Sequence, residues 1–256
     1  MASTIFEAFS RVEIIHLRER RDRYEALRKE LGRFGFPIER AHIPDAPKPE
    51  HANGFPSRGV YGNLLSHLDI IRRAEADRLE SVLILEDDAI FRTAIGSRGP
   101  KIAETIRTLD WDILFLGHSL RNPPSSENGF VTYTGGFYWA HCYAVRARVI
   151  PNLARYLELV IERPAGHPLG GKMYIDGSFT LFRQQNPDVK CLISSPRLSI
   201  QRGSESSLGK PTGYGRLPFI STVRLVRDEL WRHGLISGGP PEGLIADVSS
   251  RNAAPI

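Results

Sequence analysis

Short apolar runs alternate along this chain with stretches of helical periodicity, and that alternation restricts the fold more than any other feature of the sequence. Val12 to Leu17 reads as a buried strand that runs into the charged turn Arg18 to Arg23. Tyr24, Leu27, Leu31 and Phe34 then recur at helical spacing until Gly35 and Pro37 close the segment. Ile38 to Ile43 reads as a second strand, and residues 44 to 61, with four prolines, as a long loop. A helix carrying Leu64, Leu65, Leu68 and Ile71 follows, then a strand from Ser81 to Leu85.

Downstream the pattern predicts a helix over Lys101–Leu109, a strand over Asp112–Leu116, and a polar loop from Gly117 to Gly129. Strands over 130–134 and 138–145 come next, with helices over 147–159 and 174–184, a strand over 189–193 and a last helix over 222–233. Helices interleaved with short apolar strands predict one α/β domain, a mostly parallel central sheet flanked by helices. Residues 1–10 read as a leader, 11–235 as the domain, and the Gly-, Pro- and Ser-rich 236–256 as a loose tail.

The composition is globular, with 41% hydrophobic and 25% charged residues, so collagen-like, coiled-coil and largely disordered chains are excluded. A chain of 256 residues buries roughly three quarters of its unfolded surface, enough to wall off a site. Cys142 and Cys191 match no zinc or redox spacing and read as small buried hydrophobes, which suits a reducing compartment. No secretory leader pattern is evident, and no apolar run approaches the ~18 residues a membrane span needs. The expectation is a cytoplasmic protein, at most peripheral on a membrane face.

The net charge of +5 admits nucleic acid, an anionic membrane or a phosphorylated ligand as partner. The excess sits in two flanks, +3 over residues 11–40 and +5 over 183–233, whereas 41–182 nets −1. That distribution suits an anionic ligand held between the flanks, then a membrane contact through Arg224, Arg227 and Arg232. Nucleic acid is not expected, because the aromatic residues are not interleaved with the basic ones.

Val82-Leu83-Ile84-Leu85-Glu86-Asp87-Asp88 is the sharpest chemical signal, an apolar strand that delivers three carboxylates at its C-terminal end. Ligands of open α/β sheets bind outside the carboxyl ends of strands, and clustered acids favour a bound cation. Hard oxygen ligands suit Mg2+ or Mn2+, often shared with substrate phosphates. A merely solvated turn is the competing reading.

Several motifs resemble glycosyltransferase family 25 in linked order. His16-Leu17-Arg18-Glu19-Arg20-Arg21-Asp22-Arg23 stands where the family has a strand and basic turn of the type Asn-Leu-Lys-Arg-Arg-Pro-Asp-Arg. Gly62-Asn63-Leu64-Leu65-Ser66-His67 matches a Gly-Cys-x-Leu-Ser-His helix start about twenty residues before Glu-Asp-Asp, here Glu86-Asp87-Asp88. Trp111 to Gly117, Ala140 to Val145, Ile175-Asp176 and Ser199 to Leu208 resemble later family elements, so the likeness spans about residues 11 to 210. His16, Arg21 and Asn63 depart from the usual Asn, Pro and Cys.

The resemblance implies a GT-A-like fold and a metal-dependent, inverting transfer of a hexose from a nucleotide-diphosphate donor, a UDP-sugar, to a glycan, lipooligosaccharide or protein hydroxyl. It implies Asp88 with Glu86 as ligands of Mn2+ (or Mg2+), and Asp87 beside the donor. Asp176 is the implied acceptor base, or else a helix N-cap. Leu17, Arg18, Arg20 and Arg23 are implied at the donor phosphates, unless the arginines are a solvated helix start. Asn63, Ser66 and His67 are implied near the donor, with a core role open for His67. Asp45 stands for a family Asp at the ribose or base, or forms an Asx turn. A catalytically silent relative that binds glycan or protein is the alternative function.

Overall fold

The computed structural model describes residues 4–120, 123–136, 139–202 and 220–236. In chain order the elements are β1 (Arg11–Ile15), α1 (Arg21–Gly32), α2 (Arg58–Ala76), β2 (Ser81–Glu86), β3 (Ala89–Phe91), α3 (Ala94–Thr108) and β4 (Ile113–Phe115). They continue with β5 (Phe130–Thr132), β6 (Cys142–Arg146), α4 (Ile150–Glu162), α5 (Ile175–Gln185), β7 (Cys191–Ser194), β8 (Ser199–Gln201) and α6 (Ile220–Arg232).

Six strands form the central sheet in the order β1-β2-β6-β4-β7-β5. The pairs β1–β2 and β4–β7 are parallel, while β6 and β5 run against their neighbours. Four of the six strands therefore share one direction, and the chain has the mostly parallel α/β architecture its alternation predicts.

Both faces of the sheet are covered, which is why β2 is apolar without a break from Val82 to Leu85 rather than alternating. Val82 and Ile84 pack with Leu64, Ile71, Leu157 and Phe179 of α2, α4 and α5. Leu83 and Leu85 point the other way, onto Leu27, Leu31, Ile106 and Trp111 beside α1 and α3. Each such fully buried side chain contributes about 1.5–3 kcal/mol relative to exposure. The two free cysteines are buried apolar residues within these layers.

Three readings of the sequence change. The leader is not separate from the domain: Ile5–Ala8 form a 3-10 turn, and Ile5, Phe6 and Phe9 are buried against Phe36, Phe91 and Trp111. Ile38 to Ile43 is no strand. Pro37 opens a 3-10 turn over Ile38–Arg40, and only His42 and Asp45 then make isolated bridges, to Glu13 and His16. Pro44 has no N–H to continue the ladder along β1, so the pairing stays fragmentary. Thirdly, β3 and β8 pair as a separate antiparallel ribbon that the short runs around 90 and 200 concealed.

Trp231 of α6 is fully buried on Ile90 and Ile200 and seals that ribbon. Residues 203–219, which include part of the family-like stretch Ser199 to Leu208, and the expected tail over 237–256 lie outside the described residues.

Two close approaches hold the site region together. A Cβ at Gly62 would come within 2.8 Å of the Pro47 carbonyl, so the proline-rich loop rests directly on α2. A Cβ at Gly117 would lie 2.3 Å from His141 Nε2 and 3.1 Å from the Ser199 carbonyl. Gly117→Ala is expected to lower stability by about 1–3 kcal/mol through overpacking, read as a lower urea midpoint at unchanged slope. An unaltered midpoint would refute this packing account.

Candidate functional site

The apolar β2 strand ends at Glu86 because the chain leaves the covered sheet there, and Asp87 and Asp88 form the turn into β3. Backbone bonds lock that turn: Glu86 N donates to the His141 carbonyl at 2.8 Å, Asp87 N to Ile15 at 3.1 Å, and Arg202 N to the Asp88 carbonyl at 2.7 Å. Residues from four separate parts of the chain thereby meet at the strand ends.

The three carboxylates do different things. Glu86 Oε1 accepts from Asn63 Nδ2 at 3.0 Å and faces His67 Nε2 at 3.4 Å, and Oε2 accepts from Gln201 Nε2 at 3.2 Å. Burial raises the proton affinity of Glu86, but the His67 and Asn63 contacts outweigh it and bring the pKa down to about 2. His67 Nδ1 lies 2.8 Å from the Tyr143 hydroxyl, which burial and the nearby Glu86 charge keep protonated.

Asp87 is held from two sides: His16 Nδ1 lies 2.9 Å from Oδ2, and Arg23 Nη1 donates to Oδ1 at 2.9 Å. Asp88 is the one left over. Its Oδ2 is 3.6 Å from Arg23 Nη1, and its Oδ1 is buried with no hydrogen-bond partner among the described residues. Burial first, then the charges of Glu86 and Asp87, push its pKa up to about 8, with Arg23 opposing them.

Asp176 sits in the first turn of α5, whose N-cap is Tyr174, so the capping position is not its own. Its Oδ1 accepts from Gly177 N at 2.8 Å, and Oδ2 is 3.4 Å from the amide of Trp139, a residue with φ of 78°. Burial raises the Asp176 pKa, and Glu86 adds to the shift.

The remaining candidates separate. Asn63, His67, Arg23 and Asp87 belong to the acid turn. Arg18 pairs with Asp45 at the surface, 80% exposed. Arg20 binds Asp22 at 2.9 Å, and its guanidinium is also stabilised by Asp87 and Asp88. Ser66 Oγ donates to the Gly62 carbonyl one turn back on α2, a bond within the helix, and Leu17 is half-buried beside the turn.

Gln201, Tyr143 and His141 enter the site although they are not among the candidates; their signal is only their place in the family-like stretches Ala140 to Val145 and Ser199 to Leu208. His141 is fully buried, with Nε2 3.1 Å from Ser199 Oγ, and burial pushes its pKa down to about 4. Only the pairing of β2 with β6, and of β3 with β8, brings these residues beside the acids.

Among the described residues, no group of three or more His, Cys, Asp or Glu side chains is arranged to hold a metal ion. Asp88 Oδ1 nevertheless supplies one unsatisfied hard oxygen, and Mg2+-type ions commonly take one or two carboxylates plus substrate phosphates. The residues thus fit a divalent ion held by a single carboxylate and a phosphorylated ligand, not by three acids.

No family model matches the chain. It is similar to the human "Inactive glycosyltransferase 25 family member 3", at 27% identity over 165 residues, which is 62% of this chain and 26% of that protein. The rat "Probable inactive glycosyltransferase 25 family member 3" is 28% identical over 114 residues, 42% of this chain and 19% of its own length. The chain thus spans about a quarter or less of the curated relatives it matches.

Among solved structures, a glycosyltransferase involved in the glycosylation of the major capsid of PBCV-1 has a TM-score of 0.44 at 14% identity. That match covers 86% of this chain and 97% of the other. The mannose-1-phosphate geranyltransferase of Thermus thermophilus has a TM-score of 0.36 at 10% identity, covering 76% and 74%.

Proposed function

We propose that this chain, similar to glycosyltransferase 25 family members, is a metal-dependent glycosyltransferase with a GT-A-like fold. In this reading it moves a hexose such as galactose from a UDP-sugar to a hydroxyl of a glycan, lipooligosaccharide or protein acceptor, with inversion. The observation that carries the proposal is the buried Asp88 Oδ1 at the carboxyl end of β2, which has no hydrogen-bond partner among the described residues.

Asp88 would hold Mn2+ or Mg2+ together with donor phosphates, and such an ion, when bound, offsets the charge of a departing diphosphate. The chain's own residues supply the rest. Asn63, His67 and Gln201 keep Glu86 ionised and fixed, so its negative charge beside Asp88 favours a cation. Arg23 and His16 immobilise Asp87 and with it the turn. Arg20 and Arg18, exposed or partly so and paired with Asp22 and Asp45, would be the arginines to meet an anionic donor. Asp176 would accept the proton of the acceptor hydroxyl, a role its raised proton affinity serves.

A second reading is favoured by a specific observation. Both similar curated proteins carry "inactive" in their names, and Glu86 and Asp87 are already satisfied by protein groups. A silent relative would bind glycan or protein without transfer.

A donor screen for released UDP or GDP, with and without Mn2+, separates the two. Metal-dependent release from one donor is the expected result. Calorimetric binding of a donor without release in any acceptor mixture would favour the silent relative, and neither binding nor release would overturn the donor-binding site itself.

A further inference from the structure

A cavity of about 260 Å³ lies apart from the acid turn, between one face of α1 and the end of α6. Its α1 side carries Asp22, Glu25, Lys29, Glu30 and Arg33, which share a helical face, and Arg202 and Arg232 close it from the other side. The carboxylates of that lining are already engaged. Asp22 takes Arg20 at 2.9 Å, and Glu25 takes Arg28 at 2.8 Å. Glu30, 2% exposed, accepts from Phe91 N at 2.8 Å and pairs with Arg232 Nη2 at 2.8 Å.

The cations are not matched in the same way. Arg232 is 5% exposed; its Nε lies 3.7 Å from Glu229 Oε2, and its Nη1 is buried with no hydrogen-bond partner among the described residues. Arg202 Nε is likewise buried without one among the described residues. Four cations, Lys29, Arg33, Arg202 and Arg232, line the cavity against the three carboxylates of Asp22, Glu25 and Glu30, and guanidinium groups with incompletely bonded donors beside it favour an oxyanion. The volume is below that of a drug-sized ligand site and suits one or two phosphate groups.

We propose that this cavity is a phosphate-binding site, with Arg202, Arg232 and Lys29 as its donors. It is separate from the metal-dependent site proposed above: no acid of the turn lines it, and it needs no cation. Arg202 links the two, because its backbone amide holds the Asp88 carbonyl while its side chain faces the cavity. The phosphate could be carried by a soluble molecule or by a lipid headgroup, and the chemistry of recognition is the same.

Calorimetric titration of the whole chain with inorganic pyrophosphate, in EDTA, tests this. Saturable one-to-one binding is expected, at least tenfold weaker in Lys29→Gln/Arg202→Gln. The charge-matched Arg155→Gln/Arg163→Gln, on α4 and at its C-cap, should bind like wild type. Lys29 is exposed, so Lys29→Gln alone, expected about threefold weaker, serves if the double variant does not fold. Arg232 is left intact because its loss would strand Glu30.

Co-sedimentation with phosphatidylglycerol vesicles, against phosphatidylcholine alone, distinguishes the sources. Lys29- and Arg202-dependent pelleting marks a headgroup, and its absence alongside pyrophosphate binding marks a soluble phosphate. Absence of saturable binding in both assays, or equal binding by wild type and both double variants, overturns the proposal. Failure of the donor screen would leave it standing.

Discussion

Asp88→Asn should abolish metal-dependent donor turnover, by on the order of 100-fold or more, while the chain stays folded. The substitution keeps shape and removes the charge that would hold the cation. It also has a stability signature of unusual sign. Asp88 has its pKa raised from 3.8 to about 8 in the fold, so between those values the native state keeps a proton that the unfolded chain releases.

Its contribution is therefore fully present below about pH 4 and is lost as pH rises toward 8. Glu86 acts oppositely, and its favourable term is complete above its ordinary pKa of 4.5. Metal-free wild type should accordingly lose stability from pH 5 to 8, whereas Asp88→Asn should lose less and melt higher than wild type at pH 8. Mn2+ should restore the wild type at pH 8 and leave the variant unchanged. Full turnover in Asp88→Asn would sink the functional reading, and parallel pH profiles of melting temperature would sink the electrostatic one.

The largest loss of stability should come from Arg23→Met. Arg23 is 9% exposed, binds Asp87 at 2.9 Å and is the cation nearest Asp88 at 3.6 Å. Removing one partner of a buried ion pair strands the other, at a cost of about 3–5 kcal/mol. For a chain of this size that lowers the melting temperature by roughly 10 °C. Asp87→Asn in the same background should recover part of the loss, because the stranded charge is gone. A loss under about 1 kcal/mol, or strict additivity of the two changes, would show that Arg23 is not the counter-ion of this turn. The same experiment separates it from Arg18 and Arg20, whose replacement should change stability by under about 0.5 kcal/mol.

Much of the architecture was legible in the residues. The uninterrupted Val82 to Leu85 run announced a strand covered on both faces, and the Leu64, Leu68 and Ile71 spacing a helix. Ile38 to Ile43 misled because its apolar ends fit a strand, while the prolines at 37 and 44 limited the pairing. The residues 5 to 9 were passed over for a different reason: a single 3-10 turn has no period long enough to read, yet Ile5 and Phe6 are buried.

The acid turn divides along the same line. Local order sufficed to place three carboxylates at the end of β2, since strand direction and the carboxyl-end crevice follow from the alternation. Which carboxylate is left unsatisfied depends on partners that arrive from 64 positions away in Arg23, 71 in His16 and 115 in Gln201. Identical charges in adjacent positions were thus made unequal by packing. Two acids were neutralised or hydrogen-bonded by distant side chains, and Asp88 was left buried with an oxygen that none of the described residues completes.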